Sequence, residues 1–432
     1  MPAALEPAPP TRRLAPLVVA ALVACAACDR DEPAGLDPGP DSGAQSGLNS
    51  GLDPGLDSAV SAAAPPSQGR GRREAPADLS ELAALGYSGW DEPAAIPAAP
   101  IRADVASPWP RTFADDRDRV VVISAEGEVI GEHRVPDRRQ VEFARVLPGG
   151  RIACVSVDEG LTLLAPDGEV LWAVNLPCHH EVALVPEGRD EGSRRLAVAV
   201  HHEVTHRGRR VRFDEVVFLE EASGAPATDL ETWSTWDHMG SLKERSTAEH
   251  PLDGFAPNPG ADPTVYDYFH LNSIAFSGPR SMLVCLRNVD LVVEVNLTSG
   301  GLGRSFGPGT LDWPHAPTPV DGGQRWLIFD NGKHRGWSRV IEVDPDRGEV
   351  TWSYPPDGAR SLFSEVRGFA QRLPGGTTLI TESERGRVLE VNRAGDLLWE
   401  FWNPEVRRAG DGREARRRIY RMTAVPPSDV GL

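Results

Sequence analysis

The sequence predicts an all-β fold: a six-bladed β-propeller closed by its own C-terminal strand and preceded by a signal peptide and a disordered tether. Three observations carry this. From Val120 onward, short apolar segments recur as strand, turn and strand, and the second strand often ends in tryptophan. Each such hairpin is followed by another, and two hairpins make a unit of about 50 residues, the size of a four-stranded blade. The last apolar segment of the chain repeats the pattern of a blade's first strand, and one blade otherwise lacks that strand.

The outer hairpins are residues 120–130, 161–172, a looser copy at 216–236, then 291–306, 340–352 and 388–399. Turns such as Asp167-Gly168 and Ala394-Gly395 supply the positive φ that tight hairpins need. Inner hairpins turn at Pro148-Gly149-Gly150, Pro186-Glu187-Gly188, Ser277-Gly278, Asp321-Gly322-Gly323 and Pro374-Gly375-Gly376. The missing inner strand is supplied by residues 419–426, Ile-Tyr-Arg-Met-Thr-Ala-Val-Pro, which pair with the N-terminal hairpin and so remove an exposed sheet edge. The long stretch 205–269 is an insertion within one blade.

Ahead of the repeats, Arg12 and Arg13 precede an apolar run, Leu14 to Val23, of signal-peptide length. It ends Leu22-Val23-Ala24-Cys25, which resembles a lipobox, with Cys25 the lipidated residue and Cys28 the alternative. Residues 26–115 are rich in Pro, Gly and Ala and have too few apolar side chains to bury a core, so they read as a disordered tether. The expected organisation is therefore 1–25 signal peptide, 26–115 tether and 116–426 propeller. The expected location is the periplasm or the cell surface, with the membrane reached through the lipid.

A net charge of −18 speaks against a nucleic-acid partner, which is bound through a basic face. Of 45 basic Lys and Arg residues only Lys243 and Lys333 are lysine, a bias that codon usage explains. Cys154 and Cys285 sit in apolar strand patterns and Cys178 precedes two histidines; they read as buried thiols or as one disulfide among them. The folded part has no Cys-x-x-Cys pair, so no structural zinc site is expected.

In a propeller, the start of each inner strand points at one mouth of the channel. Counting six residues back from each inner turn finds Glu142, His180, His315, Gly368 and Tyr420. The remaining strand gives Leu271, and a one-residue difference in loop length brings in His270. Three histidines in one register on neighbouring blades suit a metal, a bound anion, or a nucleophile with its acid. His179 should face away from His180, because strand side chains alternate. His201, His202 and His206 are expected in a loop or at a strand end.

These residues resemble a family. Asp267-Tyr268-Phe269-His270-Leu271-Asn272-Ser273-Ile274 resembles the Asp-x-x-His-x-Asn-Ser-Ile element of the arylsulfate sulfotransferases. Pro314-His315-Ala316-Pro317, then Phe329-Asp330-Asn331-Gly332 and Arg335, resembles a second histidine element with its Phe-Asp-Asn-Gly-x-x-Arg segment. Residues 338–354, 371–381 and 399–404 fit as well. The resemblance implies a six-bladed propeller without cofactor or metal, passing a sulfuryl group from an aryl sulfate to a phenol through a histidine. It implies His270, His315 and Arg335 as sulfuryl-binding groups; the inner-strand register adds His180 as a catalytic candidate and Tyr420 and Glu142 as substrate-binding candidates, and Asn272 and Asn331 of the matched motifs are expected to bind substrate as well. No histidine follows His334, so the nucleophile falls to His180, His270 or His315. This is a short form, without the family's N-terminal β-sandwich domain. The competing expectation is a tethered propeller that binds without catalysis.

Overall fold

Alternating apolar segments around glycine turns fold here into antiparallel sheets, because each strand has one face to bury and a partner only a tight turn away. In the computed structural model, six such sheets of four or five strands form the blades of a propeller, and a two-stranded hairpin, Val406–Arg408 with Glu414–Arg416, stands apart from them. The structure describes residues 100–430 except 116, 139, 187–193, 207, 247–263, 357–360 and 409–413. The export segment, Cys25, Cys28 and the tether up to residue 99 lie outside the described residues. Among those described, no helix is long and apolar enough to cross a membrane.

The inner strands of blades one to six are Met422–Ala424, Phe143–Val146, Cys178–Leu184, Leu271–Gly278, Pro314–Val320 and Phe369–Arg372. Blade one is composite: Met422–Ala424 pairs antiparallel with Arg111–Ala114, with Arg111 opposite Ala424. The C-terminal segment thus closes the ring as expected. The sheet begins earlier than residue 116, however. Ile101–Arg102 adds to the outer edge of blade six against Leu397–Trp402, and Arg111–Ala114 is a buried second strand of blade one. A strand that opens on an arginine after a Pro/Ala-rich stretch carries no apolar signature, and Arg111 is buried only because of its partner.

That partner is Glu390 of blade six. The two side chains are both 0% exposed and 2.7 Å apart, and the guanidinium also lies over the Trp399 ring. Glu390 further accepts the Ser107 N–H and the Thr377 hydroxyl. Glu390, Glu342 and Glu294 hold the same place in the repeated apolar-Glu-Val strand. Glu342 of blade five takes Arg372 and Arg393 of blade six, whereas Glu294 is paired with Arg304, which reaches on to the Gly323 carbonyl of the next blade. The arginine bias is used structurally at these seams, where a planar fork can bond a carboxylate and a neighbouring carbonyl together.

The recurring tryptophans have a parallel role. Each donates its indole N–H to a backbone carbonyl of the following blade: Trp172 to Glu221, Trp233 to Gly300, Trp352 to Arg393 and Trp399 to Ala125. Apolar packing fills the wedges between blades; Phe213, Ile274, Val284 and Leu286, for example, share a core across blades three and four. The insertion in blade three holds a short helix, Met239–Arg245, and a strand, Val265–Asp267, that pairs parallel to the outer part of Arg209–Glu220. Cys154, Cys178 and Cys285 are buried free thiols, each in a different blade.

Glu390→Gln should destabilise the whole ring by about 3–5 kcal/mol, because it leaves the Arg111 charge buried without its counter-ion. Chemical denaturation of the two proteins checks this, and equal midpoints would show that the pair does not hold the seam.

Candidate functional site

The six register positions all sit at one end of the channel, at or just before the six inner strands. The strands there are not regular. Pairing in blade three skips from Val198–Val182 to Val200–Cys178, so extra residues bulge out around His180. Blade four is irregular between Leu271 and Ser273, and blade five between His315 and Thr318. His180, His270 and Ala316 have φ of 56°, 55° and 44°. Positive φ costs energy in residues other than glycine and is retained where the surroundings impose it. Bulges re-aim side chains, and here they turn three imidazoles into one space.

His180 and His270 have ring centroids 4.8 Å apart, and His180 and His315 6.0 Å. The ring of Tyr420 lies 6.1 Å from His180 and 6.0 Å from His315. His270 is thus the residue of blade four whose ring meets His180. His315 Nδ1–H donates to the Gly368 carbonyl at 2.9 Å, which leaves Nε2 with a free lone pair. Gly368 has φ 95°, and a Cβ there would lie 2.4 Å from the Phe329 ring. His270 Nδ1 is bonded to Asp267, and its buried Nε2 has no hydrogen-bond partner among the described residues.

Burial, followed by neighbouring histidines and Arg287, holds His180 well below the usual histidine range. Burial, then Arg421 and Arg287, does the same for His315. Burial also lowers His270, against the opposing pull of Asp267. Burial thus favours the neutral form of all three imidazoles. The Tyr420 hydroxyl, pushed well above its usual range by burial and then by Glu142, stays protonated; it is buried and has no hydrogen-bond partner among the described residues.

His179 does not face away from His180. The bulge brings their Nδ1 atoms to 2.9 Å, so simple strand alternation fails at this point. His201 and His202 lie within the long strand Arg195–His206 rather than in a loop or at a strand end, whereas His206 ends that strand as expected. Asn272 and Asn331 are spent on backbone: Asn272 Nδ2 donates to the Pro314 carbonyl at 2.9 Å, and Asn331 Nδ2 donates to those of Ser364 and Arg367 at 2.6 Å. Through these bonds they brace the segments that carry His315 and Gly368, and the buried Asn331 Oδ1 has no hydrogen-bond partner among the described residues. Glu142 accepts the His180 backbone N–H at 3.3 Å and so supports the bulge.

Arg335 is not turned to the histidines. Its Nη2 pairs with Asp330 at 3.1 Å, its Nε bonds the Trp337 carbonyl, and its plane lies over the Trp337 ring. The cation beside the histidines is Arg287, whose charge acts on all three. It follows Leu286, which pairs with Leu271, so counting across this hairpin places it next to His270. Arg287 stacks on Trp313 at 4.5 Å, and burial lowers it to about 10. Deeper in the channel, Arg421 and Arg145 clasp Glu181 at 2.5 and 2.9 Å. These three side chains also line a cavity of about 520 Å³ together with Phe276, Phe369, Arg372 and Pro426.

Stability should fall as pH drops below about 6.5, the ordinary histidine value, because the unfolded chain then binds protons that buried His315 refuses. His315→Gln should flatten this slope, measured as melting temperature between pH 7.5 and 5; parallel slopes for the two proteins would show that His315 is not held neutral.

Residues 225–404 match the family model for arylsulfotransferase (ASST). No curated protein matches the chain. Similar solved structures include a Bacteroides caccae protein of unknown function, 12% identical, covering 68% of this chain and 94% of its own, with a TM-score of 0.46. Apo AztD from Citrobacter koseri is 10% identical, covering 71% and 96%, with a TM-score of 0.38. A catalytically inactive virginiamycin B lyase from Staphylococcus aureus with quinupristin is 10% identical, covering 71% and 89%, with a TM-score of 0.39.

Proposed function

This propeller carries arylsulfotransferase-family sequence over residues 225–404, and from that premise we propose that it moves a sulfuryl group from an aryl sulfate ester to a phenolic acceptor through a histidine, with no nucleotide donor. The observation that carries the reading is the cluster of three imidazoles beside Arg287.

His270 is the proposed nucleophile. Its Nε2 lone pair attacks sulfur, an N–S bond forms, the aryl O–S bond breaks, and the electron pair leaves on the phenolate oxygen. Asp267 on Nδ1 then stabilises the positive charge of the sulfated ring, as a carboxylate does for an imidazolium. Arg287 and the Tyr420 hydroxyl hold the sulfuryl oxygens while charge shifts onto the leaving oxygen. In the return step the acceptor phenol gives its proton to His315 Nε2, its oxygen attacks sulfur, and the N–S bond breaks with its electron pair returning to His270 Nε2.

The expected activity is p-nitrophenol release from p-nitrophenyl sulfate in the presence of phenol. His270→Ala and His270→Asn should both be inactive, because asparagine keeps a hydrogen bond but cannot attack sulfur. Arg287→Lys should lower the rate by about 10²-fold or more, as loss of an aligned donor does, whereas Arg335→Lys should leave it nearly unchanged. If the wild type releases nothing above background, and no sulfohistidine is trapped, the tethered binding propeller becomes the better account.

We also propose that the protein is exported and held at a membrane through lipid on Cys25, on the strength of the basic, apolar and Leu-Val-Ala-Cys succession at residues 12–25. Cys25→Ser should move it from the membrane fraction to the soluble one; an unchanged distribution would argue against the anchor.

A further inference from the structure

A second group of chemistry-bearing side chains lies in blade three, behind the histidine layer, and the sulfuryl transfer does not use it. Its members come from three adjacent strands: His179 on Cys178–Leu184, His201 on Arg195–His206 and Asp214 on Arg209–Glu220. His201 and Asp214 are direct cross-strand partners. One donor atom from each of the three residues lies within 4.8 Å of the other two.

Two details give this cluster the character of a cation site. His179 is 1% exposed, and its Nε2 stands 3.3 Å from Asp214 Oδ1, yet it is without a hydrogen bond. A buried imidazole nitrogen facing a buried carboxylate without hydrogen-bond alignment is an expensive arrangement, and a cation between the two relieves it. The carboxylate cannot easily turn away, because its Oδ2 accepts the Leu271 N–H at 2.9 Å. The second detail is His201, whose Nδ1 is bonded to Asp158 Oδ1 at 2.7 Å. A carboxylate on one ring nitrogen, with the other directed at a cation, is the usual outer support of a metal-bound histidine.

We propose that His179 Nε2, His201 Nε2 and Asp214 Oδ1 bind one divalent transition cation of the zinc class, with water in the remaining position. Two imidazoles and a carboxylate suit that class, and three protein ligands leave one tetrahedral position open. Ligands at zinc's bond lengths stand about 3.4 Å apart, so the site closes by side-chain rotation. The His179 and His201 rings, stacked 4.0 Å apart at 12°, splay as they turn toward the ion. Arg212, nearby in charge, is held by Glu203 at 2.9 Å. The ion would reach the histidine layer through the contact between His179 and His180.

The test uses the whole purified chain, stripped with chelator and desalted, with no substrate present, so its outcome is independent of the sulfuryl-transfer reading. Zn²⁺ binding is measured by calorimetry and elemental analysis, and Co²⁺ binding by visible absorption. One ion per chain is expected, with the intense visible bands of four-coordinate cobalt. His201→Gln and Asp214→Asn should each weaken binding by well over tenfold, and Asp158→Asn, which removes only the outer support, by about tenfold or more. His202→Gln should not change it, since His202 is bonded to Glu215, outside the donor set. His201→Gln is the deciding variant, because His201 is the most exposed of the three ligands and its loss leaves the core intact. Failure of the wild type to take up metal, or wild-type affinity in His201→Gln, would overturn the site.

Discussion

Glu390 and Arg111 lie almost 280 residues apart in sequence and meet at 0% exposure across the seam between blade six and blade one. A propeller has no covalent closure, so its last wedge must be held by pairing and packing. Here the C-terminal strand supplies the pairing and the buried ion pair locks the strand it pairs with. The pair is tolerable only because nearly every hydrogen-bonding position around the carboxylate is filled, by Arg111, Ser107 N–H and Thr377. If this seam opens, the edges of blades one and six are exposed together, and the inner register that converges on the channel is lost.

The same solution recurs in weaker form around the ring. Tryptophans from four blades each reach a carbonyl of the next, and carboxylates in the apolar-Glu-Val strands gather arginines at the seams. Neighbouring blades are thus joined by directional bonds as well as by apolar wedges, and the directional bonds set the rotation between blades. That rotation aims the six inner strands at a common point.

The site stores part of what closure provides. Two of its histidines hold positive φ, and the bulges around them forgo ladder bonds. The braces are specific: Glu142 holds the His180 backbone, and Asn272 and Asn331 tie down the segments bearing His315 and Gly368. The imidazoles feel Arg287 and Arg421, whose charges are set against those of Asp267 and Glu181.

The repeat of strand, glycine turn and tryptophan determined the blade number, the closure by the tail and the register of Glu142, His180, His270, His315, Gly368 and Tyr420. These are local properties, set by side-chain period and turn length, and a sequence displays them directly. Arg111–Ala114 was hidden because its burial depends on Glu390, far away in the chain. The direction of Arg335 was decided by Asp330 and Trp337, and that of Arg287 by the hairpin that sets it beside His270. Motif spacing names residues but not the partners that turn them. The meeting of His179 with His201 and Asp214 also belongs to the tertiary structure, because a bulge cancels strand alternation and three strands must align before their donors share a space.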